Sequence, residues 1–176
     1  MWEVNNSEYI YKSRWLTVRK DSICTDKGVN IDDFYVLEYP TWVNVVAKTE
    51  DGNYIVERQY RHGLERDAYE ICAGVCEEGE DPLSAAQREL LEETGFGGGQ
   101  WSLIGKFAPN SNSMNNLCYS FLAEGVTKLQ EPKQEPTEDI MVLQVNNAEL
   151  LKLMKDNQIV EGVMLAPLWQ HLYDRK

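Results

Sequence analysis

Residues 74–96 read GVCEEGEDPLSAAQRELLEETGF, and the fixed spacing of their glycines, glutamates and arginine is the strongest signal in the chain. At average usage, about one in fifteen for each of seven defined positions, chance gives a match on the order of 10⁻⁸ per starting residue. Those positions are Gly74, Glu80, Arg88, Glu89, Glu92, Glu93 and Gly95. A random match is therefore a poor explanation of the pattern.

The same segment carries the start and stop signals of a helix. Asp81 is a good N-cap, Pro82 suits the first helical position, and Gly95 suits the left-handed residue that ends a helix. We therefore predict one helix over residues 81–94. One side of this helix is apolar and the neighbouring side carries the glutamates, as expected for an element that packs on a core.

Three carboxylates of the predicted helix, Glu89, Glu92 and Glu93, fall within an arc of roughly 100°. Like charges three or four residues apart destabilise a helix by roughly 0.2–0.5 kcal/mol per pair, so the cluster needs a counter-charge. Carboxylates without His or Cys favour Mg²⁺ or Mn²⁺ over zinc. The pattern predicts a Mg²⁺ or Mn²⁺ site and metal-assisted chemistry at phosphorus. The alternative is a solvated acidic face in a chain of net charge −12, which the complete spacing disfavours.

Composition limits the fold and the partners. A chain of 176 residues, 43% of them apolar, suits one domain or one domain with a small appendage. The negative net charge argues against nucleic-acid binding, because phosphate backbones attract clustered Lys and Arg. The N-terminus lacks a signal-peptide pattern, and no segment approaches about 18 consecutive apolar residues. We therefore expect no membrane partner and a cytoplasmic location.

The cysteines and histidines form neither a zinc pattern nor a nucleophile triad. No pair among the four cysteines is spaced Cys-x-x-Cys, and we expect reduced, mostly buried thiols. We expect His62 and His171 to lie at the surface or in packing contacts.

The remaining segments predict an α+β fold, a mixed-sheet layered domain. Alternating residues at 14–21 and 32–39 predict a small antiparallel unit within residues 13–38. An Asp51-Gly52 turn between apolar runs predicts a hairpin. Its strands are expected at 42–49 and 54–59, later strands at 101–108, 117–123 and 140–145, and later helices at 147–156 and 162–173. The Pro- and Glu-rich residues 130–139 predict an exposed, mobile loop.

At every defined position residues 74–96 resemble the Nudix box, GX5EX7REUXEEXGU, with Leu90 and Phe96 at the two bulky apolar positions U. The chain is similar to Nudix hydrolases, whose box forms a loop-helix-loop that binds divalent metal and which hydrolyse a nucleoside diphosphate linked to another moiety. The resemblance implies a Nudix-type mixed β-sheet sandwiched between helices in residues 41–176. It also implies a small N-terminal antiparallel β unit, able to dimerise, in residues 1–40.

Carried over position by position, the resemblance implies that Glu89 and Glu93 are metal ligands and that Glu92 ligates or supports them. Glu92 and Glu93 are thereby also catalytic candidates. The backbone carbonyl of Ala73 would be a further metal ligand. Arg88 would be structural and would pair with box carboxylates such as Glu80 or Glu92.

Two further segments, ERQYRHG at residues 57–63 and YEICAG at residues 69–74, resemble the subgroup that cleaves ADP-ribose and related nucleotide sugars. In that subgroup the N-terminal strands help to form a dimer, so the resemblance implies a homodimer. Arg58 and Arg61 are then candidates for binding the diphosphate, which suits guanidinium geometry. The alternative for both arginines is ordinary surface pairing with carboxylates.

Glu138 lies in a polar loop before an apolar run, where related enzymes place a catalytic or metal-binding glutamate. The match is one of placement only, and Glu135 is the alternative. A loop carboxylate here would orient or deprotonate the water that attacks phosphorus. One more solvated acid is the competing interpretation.

The resemblance favours hydrolysis of ADP-ribose to AMP and ribose 5-phosphate. Residues 110–116, NSNSMNN, depart from the serine-and-glutamate pattern often found there, and Asn115 and Asn116 cannot supply a carboxylate charge. The alternatives are a Nudix enzyme acting on nucleoside triphosphates, dinucleotides or another phosphorylated metabolite, and a non-catalytic nucleotide-binding regulator. Degenerate box carboxylates would be expected for the regulator, and here all are present.

Overall fold

The structure is a computed structural model that describes residues 1–13 and 16–174. The chain divides into two units. The first consists of Met1–Pro40 together with Ala108–Leu117, and the second consists of the rest of the chain.

In its described residues, the first unit contains a three-stranded antiparallel sheet in the order β1-β2-β3. Its strands are β1 (Glu3–Lys12), β2 (Thr17–Cys24) and β3 (Asn30–Glu38). The predicted antiparallel unit is confirmed, but β1 was not predicted. All ten of its residues are exposed, so neither face of the strand needs apolar residues, and the sequence lacks the alternation of apolar and polar residues that would reveal a strand. Arg14 and Trp15, which begin the first predicted strand, lie outside the described residues.

The segment Ala108–Leu117 is held to β3 by backbone hydrogen bonds. The Leu37 amide donates to the Ser113 carbonyl (2.7 Å), and the Asn115 amide donates back to the Leu37 carbonyl (3.3 Å). The Asn115 side-chain oxygen accepts from the Tyr39 amide (3.2 Å), and the Asn116 side chain donates to the Pro40 carbonyl (3.1 Å). The two asparagines of NSNSMNN therefore fix the backbone within this unit.

The second unit is built on a mixed sheet to which, within the described residues, eight strands contribute. The central path runs β11-β5-β4-β10-β8, with β6 on β5, β7 on β4 and β9 on β10. Among the strands of this sheet that the structure describes, only β4 and β10 pair in parallel. The strands are β4 (Trp42–Thr49), β5 (Tyr54–Arg61), β6 (Arg66–Glu70), β7 (Ala73–Val75), β8 (Phe96–Gly97), β9 (Gln100–Phe107), β10 (Cys118–Lys128) and β11 (Met141–Val145).

Helices cover both faces of this sheet. On one face, Ala85 and Ala86 of α1 (Pro82–Glu89) and Leu90, which follows it, pack against Val43, Val45 and Ile55. On the other face, α2 (Asn147–Lys155) and α3 (Gly162–Tyr173) pack Leu150, Met154 and Leu168 against Val46, Tyr54 and Val56. Successive strand residues alternate between the two clusters, as the period of two requires. The predicted mixed sheet between helices is confirmed.

The predicted hairpin and later helices are also confirmed, with ends that agree within two residues. The short strands β6 and β7 were missed, because their sequences RDAYE and AGV are too short and too polar or glycine-rich to show a period. Across the described part of the chain, no helix is both long and apolar enough to cross a membrane.

The cysteines and histidines lie largely as predicted. Cys72 and Cys118 are buried, Cys24 and Cys76 are half-buried, and all four are free thiols. His171 is buried and shares a hydrogen bond with the Tyr54 hydroxyl (3.1 Å), whereas His62 is exposed.

Candidate active site

The helix of residues 81–94 forms with the predicted caps and an unpredicted change of pitch. The Asp81 carboxylate accepts hydrogen bonds from the amides of Leu83 (3.1 Å) and Ser84 (3.2 Å), and Pro82 opens α1. The helix then widens into a π-helical turn, Leu90–Thr94, which ends at Gly95 with φ of 76°. Such turns occur often at functional sites, and this one carries two of the predicted metal ligands or supports.

The carboxylate of Glu89 lies directly against the backbone of β7. A Cβ built on Gly74 would overlap the Glu89 side chain, so any residue other than glycine would displace the carboxylate. Gly74 itself is held by its pairing with Val43 in β4. The box glycine is therefore explained by the close approach of Glu89.

Arg88 ties the loop before α1 to the glutamates of the helix. Its Nε and one terminal nitrogen donate to the two oxygens of Glu80 (3.0 and 2.9 Å), and this pairing lowers the pKa of Glu80. The other terminal nitrogen donates to Glu89 (2.9 Å) and Glu92 (3.2 Å). A further bond reaches the carbonyl of Val75 (3.1 Å). The guanidinium thus links Glu80, in the loop, to Glu89 and Glu92, which with Glu93 form the acidic cluster of the box.

Glu93 is a buried carboxylate, and one of its two oxygens lacks a hydrogen-bond partner among the described residues. It is 7% exposed, and the oxygen without a partner is Oε2. Burial, together with the charges of Glu89 and Glu138, raises its pKa to about 8, although hydrogen bonds from the Cys72 thiol and the Ala73 amide oppose the rise. The Ala73 amide thus contacts this site, and the role of its carbonyl stays a prediction.

Glu89 is in a similar state. Burial raises the pKa of this carboxyl, and the charges of Glu92 and Glu138 add to the effect, while Arg88 opposes it. A buried anionic cluster of this kind is stabilised by a cation. Its hard oxygen donors and the orphaned Oε2 of Glu93 fit Mg²⁺ or Mn²⁺.

Glu138 is brought to the box by a turn in the predicted loop. Its charge acts on both Glu89 and Glu93, and its side chain is half-buried. The carboxylate accepts from the amide of Glu135 (2.7 Å), and the Glu138 amide donates to the Glu135 carbonyl (2.9 Å). Glu135, the alternative, is exposed.

The loop of residues 130–139 is fastened to the last turn of the box helix. The Lys133 amide donates to the Glu92 carbonyl (2.7 Å). The Gln134 side chain donates to the carbonyls of Glu93 (3.1 Å) and Ile140 (3.0 Å). The loop is largely exposed, as expected, but these bonds hold it beside the glutamates.

The two predicted substrate arginines lie on opposite faces of β5. Ile55 packs in the cluster under α1, so Arg61, which has the same parity, shares that face. Arg58 shares the other face and pairs with Asp67 (2.5 Å). Arg61 donates hydrogen bonds to both oxygens of Glu70, and the bond from its Nε is 2.7 Å long. The negative charge of Glu93 also helps to raise the pKa of Arg61, after the larger effect of Glu70. The structure therefore brings Arg61 towards the acidic cluster and directs Arg58 away from it.

Comparison with known proteins shows the family to which the chain belongs. The NUDIX domain matches residues 39–162, which include the whole box and the Glu138 loop. The chain belongs to the Nudix family of hydrolases. Residues 2–37 of this Nudix protein also match the nucleoside diphosphate sugar hydrolase N-terminal domain.

Two relatives of this Nudix chain are ADP-ribose pyrophosphatases. It is 35% identical over 129 residues to an ADP-ribose pyrophosphatase of Bacillus subtilis (strain 168), covering 72% of this chain and 69% of the relative. It is 26% identical over 167 residues to an ADP-ribose pyrophosphatase of Mycobacterium tuberculosis (strain ATCC 25618 / H37Rv), covering 94% and 80%. The predicted resemblance to that subgroup is confirmed, and the chain is a pyrophosphatase enzyme.

Two further similarities extend the comparison. A methanol dehydrogenase activator of Bacillus methanolicus is 28% identical over 157 residues, covering 89% of this chain and 84% of the relative. The crystal structure of an ADP compounds hydrolase matches with a TM-score of 0.85 at 23% identity, covering 98% of this chain and 92% of that one. At that identity, the second similarity shows the Nudix fold alone.

Sequence reasoning missed two residues at this Nudix site, Glu57 and Cys72. Each is buried on the face of the sheet that α1 covers. Burial raises the pKa of both side chains, and the negative charge of Glu93 raises it further. The available signal was an acid that directly follows the apolar residues 54–56 of a central strand. An acid in that position is buried and therefore needs a partner.

Proposed function

We propose that the protein hydrolyses the diphosphate link of a nucleotide sugar, with ADP-ribose as the substrate and AMP and ribose 5-phosphate as the products. The observation that carries the proposal is the buried, partly unpaired Glu93 beside Glu89 and Glu138, in a chain with an intact box. The N-terminal match to a sugar-nucleotide hydrolase domain and the similarity to two ADP-ribose pyrophosphatases support the choice of substrate.

The proposed cofactor is Mg²⁺ or Mn²⁺. Glu89 and Glu93 would hold the ion, with Glu92 and the Ala73 carbonyl as further ligands or supports. When bound, the ion supplies positive charge that offsets the diphosphate oxygens and acts as a Lewis acid.

The protein's own residues then divide the remaining work. Glu138, on its fastened loop, orients or deprotonates the attacking water, with Glu92 and Glu93 completing the catalytic set. Arg61 exchanges Glu70 for the diphosphate, a role that suits a two-pronged guanidinium contact. Arg58 remains a candidate for the same diphosphate only if it leaves Asp67.

We also propose that the protein acts as a homodimer in the cytoplasm on a small nucleoside diphosphate derivative. Residues 1–40 would form the dimerising unit, because β1 exposes Val4, Tyr9, Ile10 and Tyr11 to solvent. The four free thiols suit a reducing compartment. A net charge of −12 opposes nucleic-acid binding.

The test is a hydrolysis assay with Mg²⁺ or Mn²⁺ on ADP-ribose, other nucleotide sugars, dinucleotides and nucleoside triphosphates. Release of phosphate after phosphatase treatment reports the cleavage. ADP-ribose should give the highest kcat/KM, and Glu93→Gln should abolish turnover while the circular dichroism spectrum is kept. Glu78→Gln, at an exposed box position, is the matched control and should retain activity.

Other outcomes would select another function. Preference for triphosphates or dinucleotides would overturn the choice of nucleotide sugar but not the chemistry. Full activity in Glu93→Gln would overturn the metal assignment.

A regulatory role is the second candidate, because a relative is an activator of another enzyme. An inactive protein that still binds nucleotide would favour it.

A further inference from the structure

Three side chains form a buried cluster beneath the box helix. They are Glu57 on β5, Cys72 just before β7, and Glu93 in the π-helical turn, and they are 4%, 1% and 7% exposed. One ligand atom from each lies within 4.8 Å of the other two. Cys72 packs in the cluster under α1, and Glu57 lies on the same face of the sheet as Ile55.

The cluster contains unpaired polar atoms that point to a missing partner. Oε1 of Glu57 and Oε2 of Glu93 both lack a hydrogen-bond partner among the described residues, although both are inaccessible to solvent. Buried polar groups are nearly always hydrogen-bonded, and buried charges are paired or coordinate metals. Arg61, on the same face, is bound through both branches of its guanidinium to Glu70.

The donor set differs from that of the box glutamates. A thiol with two carboxylates is a ligand set for a borderline cation such as Zn²⁺ or Co²⁺, because thiolates suit these ions and Mg²⁺ is held by oxygens. Three protein ligands around Zn²⁺ lie about 3.3–3.8 Å apart, as bonds of about 2.0–2.3 Å at tetrahedral angles require. The three ligand atoms lie within 4.8 Å of one another, so side-chain shifts of about 1 Å suffice to reach those separations.

We propose that Glu57, Cys72 and Glu93 form a second cation site, which takes a borderline divalent ion of the zinc type. The site shares Glu93 with the proposed Mg²⁺ or Mn²⁺ site, and it rests on the proposed function only through that residue. On binding, the Cys72 S–H bond breaks, its proton passes to solvent, and the sulfur lone pair forms the bond to the ion. No oxidation or reduction is involved. Two carboxylates and one thiolate then face an ion of charge +2.

The test uses Co²⁺ as a spectroscopic probe on the full chain, freed of metal and then kept in excess Mg²⁺. Thiolate bound to Co²⁺ gives a charge-transfer absorption in the near ultraviolet. We expect this band to saturate at one Co²⁺ per chain and to be lost in Cys72→Ala. Cys118→Ala is the matched control, because Cys118 is equally buried and lies outside the cluster, and it should retain the band.

Glu57→Gln should weaken Co²⁺ binding more than about tenfold, the lower end of what even an outer-sphere partner contributes. Absence of the band at saturating Co²⁺, or its full retention in Cys72→Ala, would overturn the proposal. If Cys72→Ala fails to fold, X-ray absorption at the zinc edge of the unsubstituted Zn²⁺-loaded protein replaces it. One sulfur at about 2.3 Å supports the site, and a shell of oxygens alone overturns it.

The same preparation separates this proposal from the proposed function. Mg²⁺-dependent hydrolysis of ADP-ribose by the unsubstituted protein, together with an oxygen-only zinc shell, overturns the second site alone. A sulfur-containing shell in a protein without hydrolytic activity overturns the proposed function alone.

Discussion

The carboxylate of Glu89 occupies the space that a side chain at Gly74 would need. Gly74→Ala must therefore push Glu89 out of the acidic cluster, because the backbone of β7 is fixed by its pairing with β4. We expect kcat/KM to fall by about 10²-fold, the effect of misplacing a reacting group by about 1 Å, with a parallel loss of Mn²⁺ affinity. Steady-state kinetics and calorimetric Mn²⁺ titration measure both.

Gly162→Ala is the control for that substitution. Apart from the neighbouring backbone of its own helix, no atom of the described residues lies within 4 Å of a Cβ built at Gly162, which opens α3, so the change should leave kinetics and metal affinity as they are. Equal losses in the two variants would show that the close approach of Glu89 is not the reason for the glycine.

The Arg88–Glu80 pair should stabilise the loop before α1. Its two parallel bonds to a half-buried carboxylate predict a coupling free energy of about 1–2 kcal/mol in a double-mutant cycle. The cycle uses Arg88→Lys, Glu80→Gln and the double variant, with urea unfolding as the measurement. A coupling near zero would contradict the structural role of Arg88.

Arg61 and Arg58 should differ in their effect on substrate binding. Lysine cannot reproduce a two-pronged guanidinium contact, so Arg61→Lys should raise KM for ADP-ribose by about tenfold. Arg58→Lys, on the opposite face of β5, should change KM less than about twofold. The reverse order would assign the diphosphate to Arg58. Thermal unfolding of both variants checks that loss of the Arg61–Glu70 pair is not the cause.

Glu138 should be the loop carboxylate that acts on water. Glu138→Gln should lower kcat by about 10²–10⁴, the usual contribution of general base catalysis, with KM nearly unchanged. Glu135→Gln is the matched control, and a larger loss there would transfer the role to Glu135.

Gln134→Ala, which removes the bonds to the carbonyls of Glu93 and Ile140, should lower kcat by loosening the loop and leave Mn²⁺ affinity the same.

Asp21 makes the stability of the N-terminal unit dependent on pH. Hydrogen bonds from Arg19, and one from Ser7 (2.7 Å), hold the pKa of this buried carboxyl below its ordinary value of 3.8. A carboxyl whose pKa is lower in the folded state stabilises the fold above its unfolded pKa, and that stability is lost as pH falls through the folded pKa. Asp21→Asn should therefore cost about 1–3 kcal/mol at pH 7. The difference should shrink below pH 3.8 in urea titrations followed by circular dichroism.

The predictable parts of the fold are those with strong local signals. Caps and spacing identify the box helix, and alternation on both sides of the Asp51-Gly52 turn identifies β4 and β5. Strand β1 could not be found, because none of its residues is buried and its partner is set by tertiary pairing. The change of pitch at Leu90–Thr94 leaves no local sign either, because the same residues favour an ordinary helix.

At the site, too, only the residues that share one continuous sequence motif could be predicted. The box glutamates follow from one continuous segment, whereas Glu57 and Cys72 reach Glu93 from two other parts of the chain. Their meeting depends on strand register, which a single sequence does not reveal. Opposite placement of Arg58 and Arg61 follows from parity alone once the strand is known, but which face meets the helix depends on the core.

Segment Ala108–Leu117 is hydrogen-bonded to the end of β3 and the residues after it, 76 residues earlier in the chain, and this limits how the protein can be shortened. A shortened chain that begins at Thr41 would keep that segment but remove the strand that fixes it. Leu37, Tyr39 and Pro40 would be gone, and the amides of Asn115 and Asn116 would have to find water instead. To obtain the first unit alone, the polypeptide must be cut in three places, after Pro40, Phe107 and Leu117.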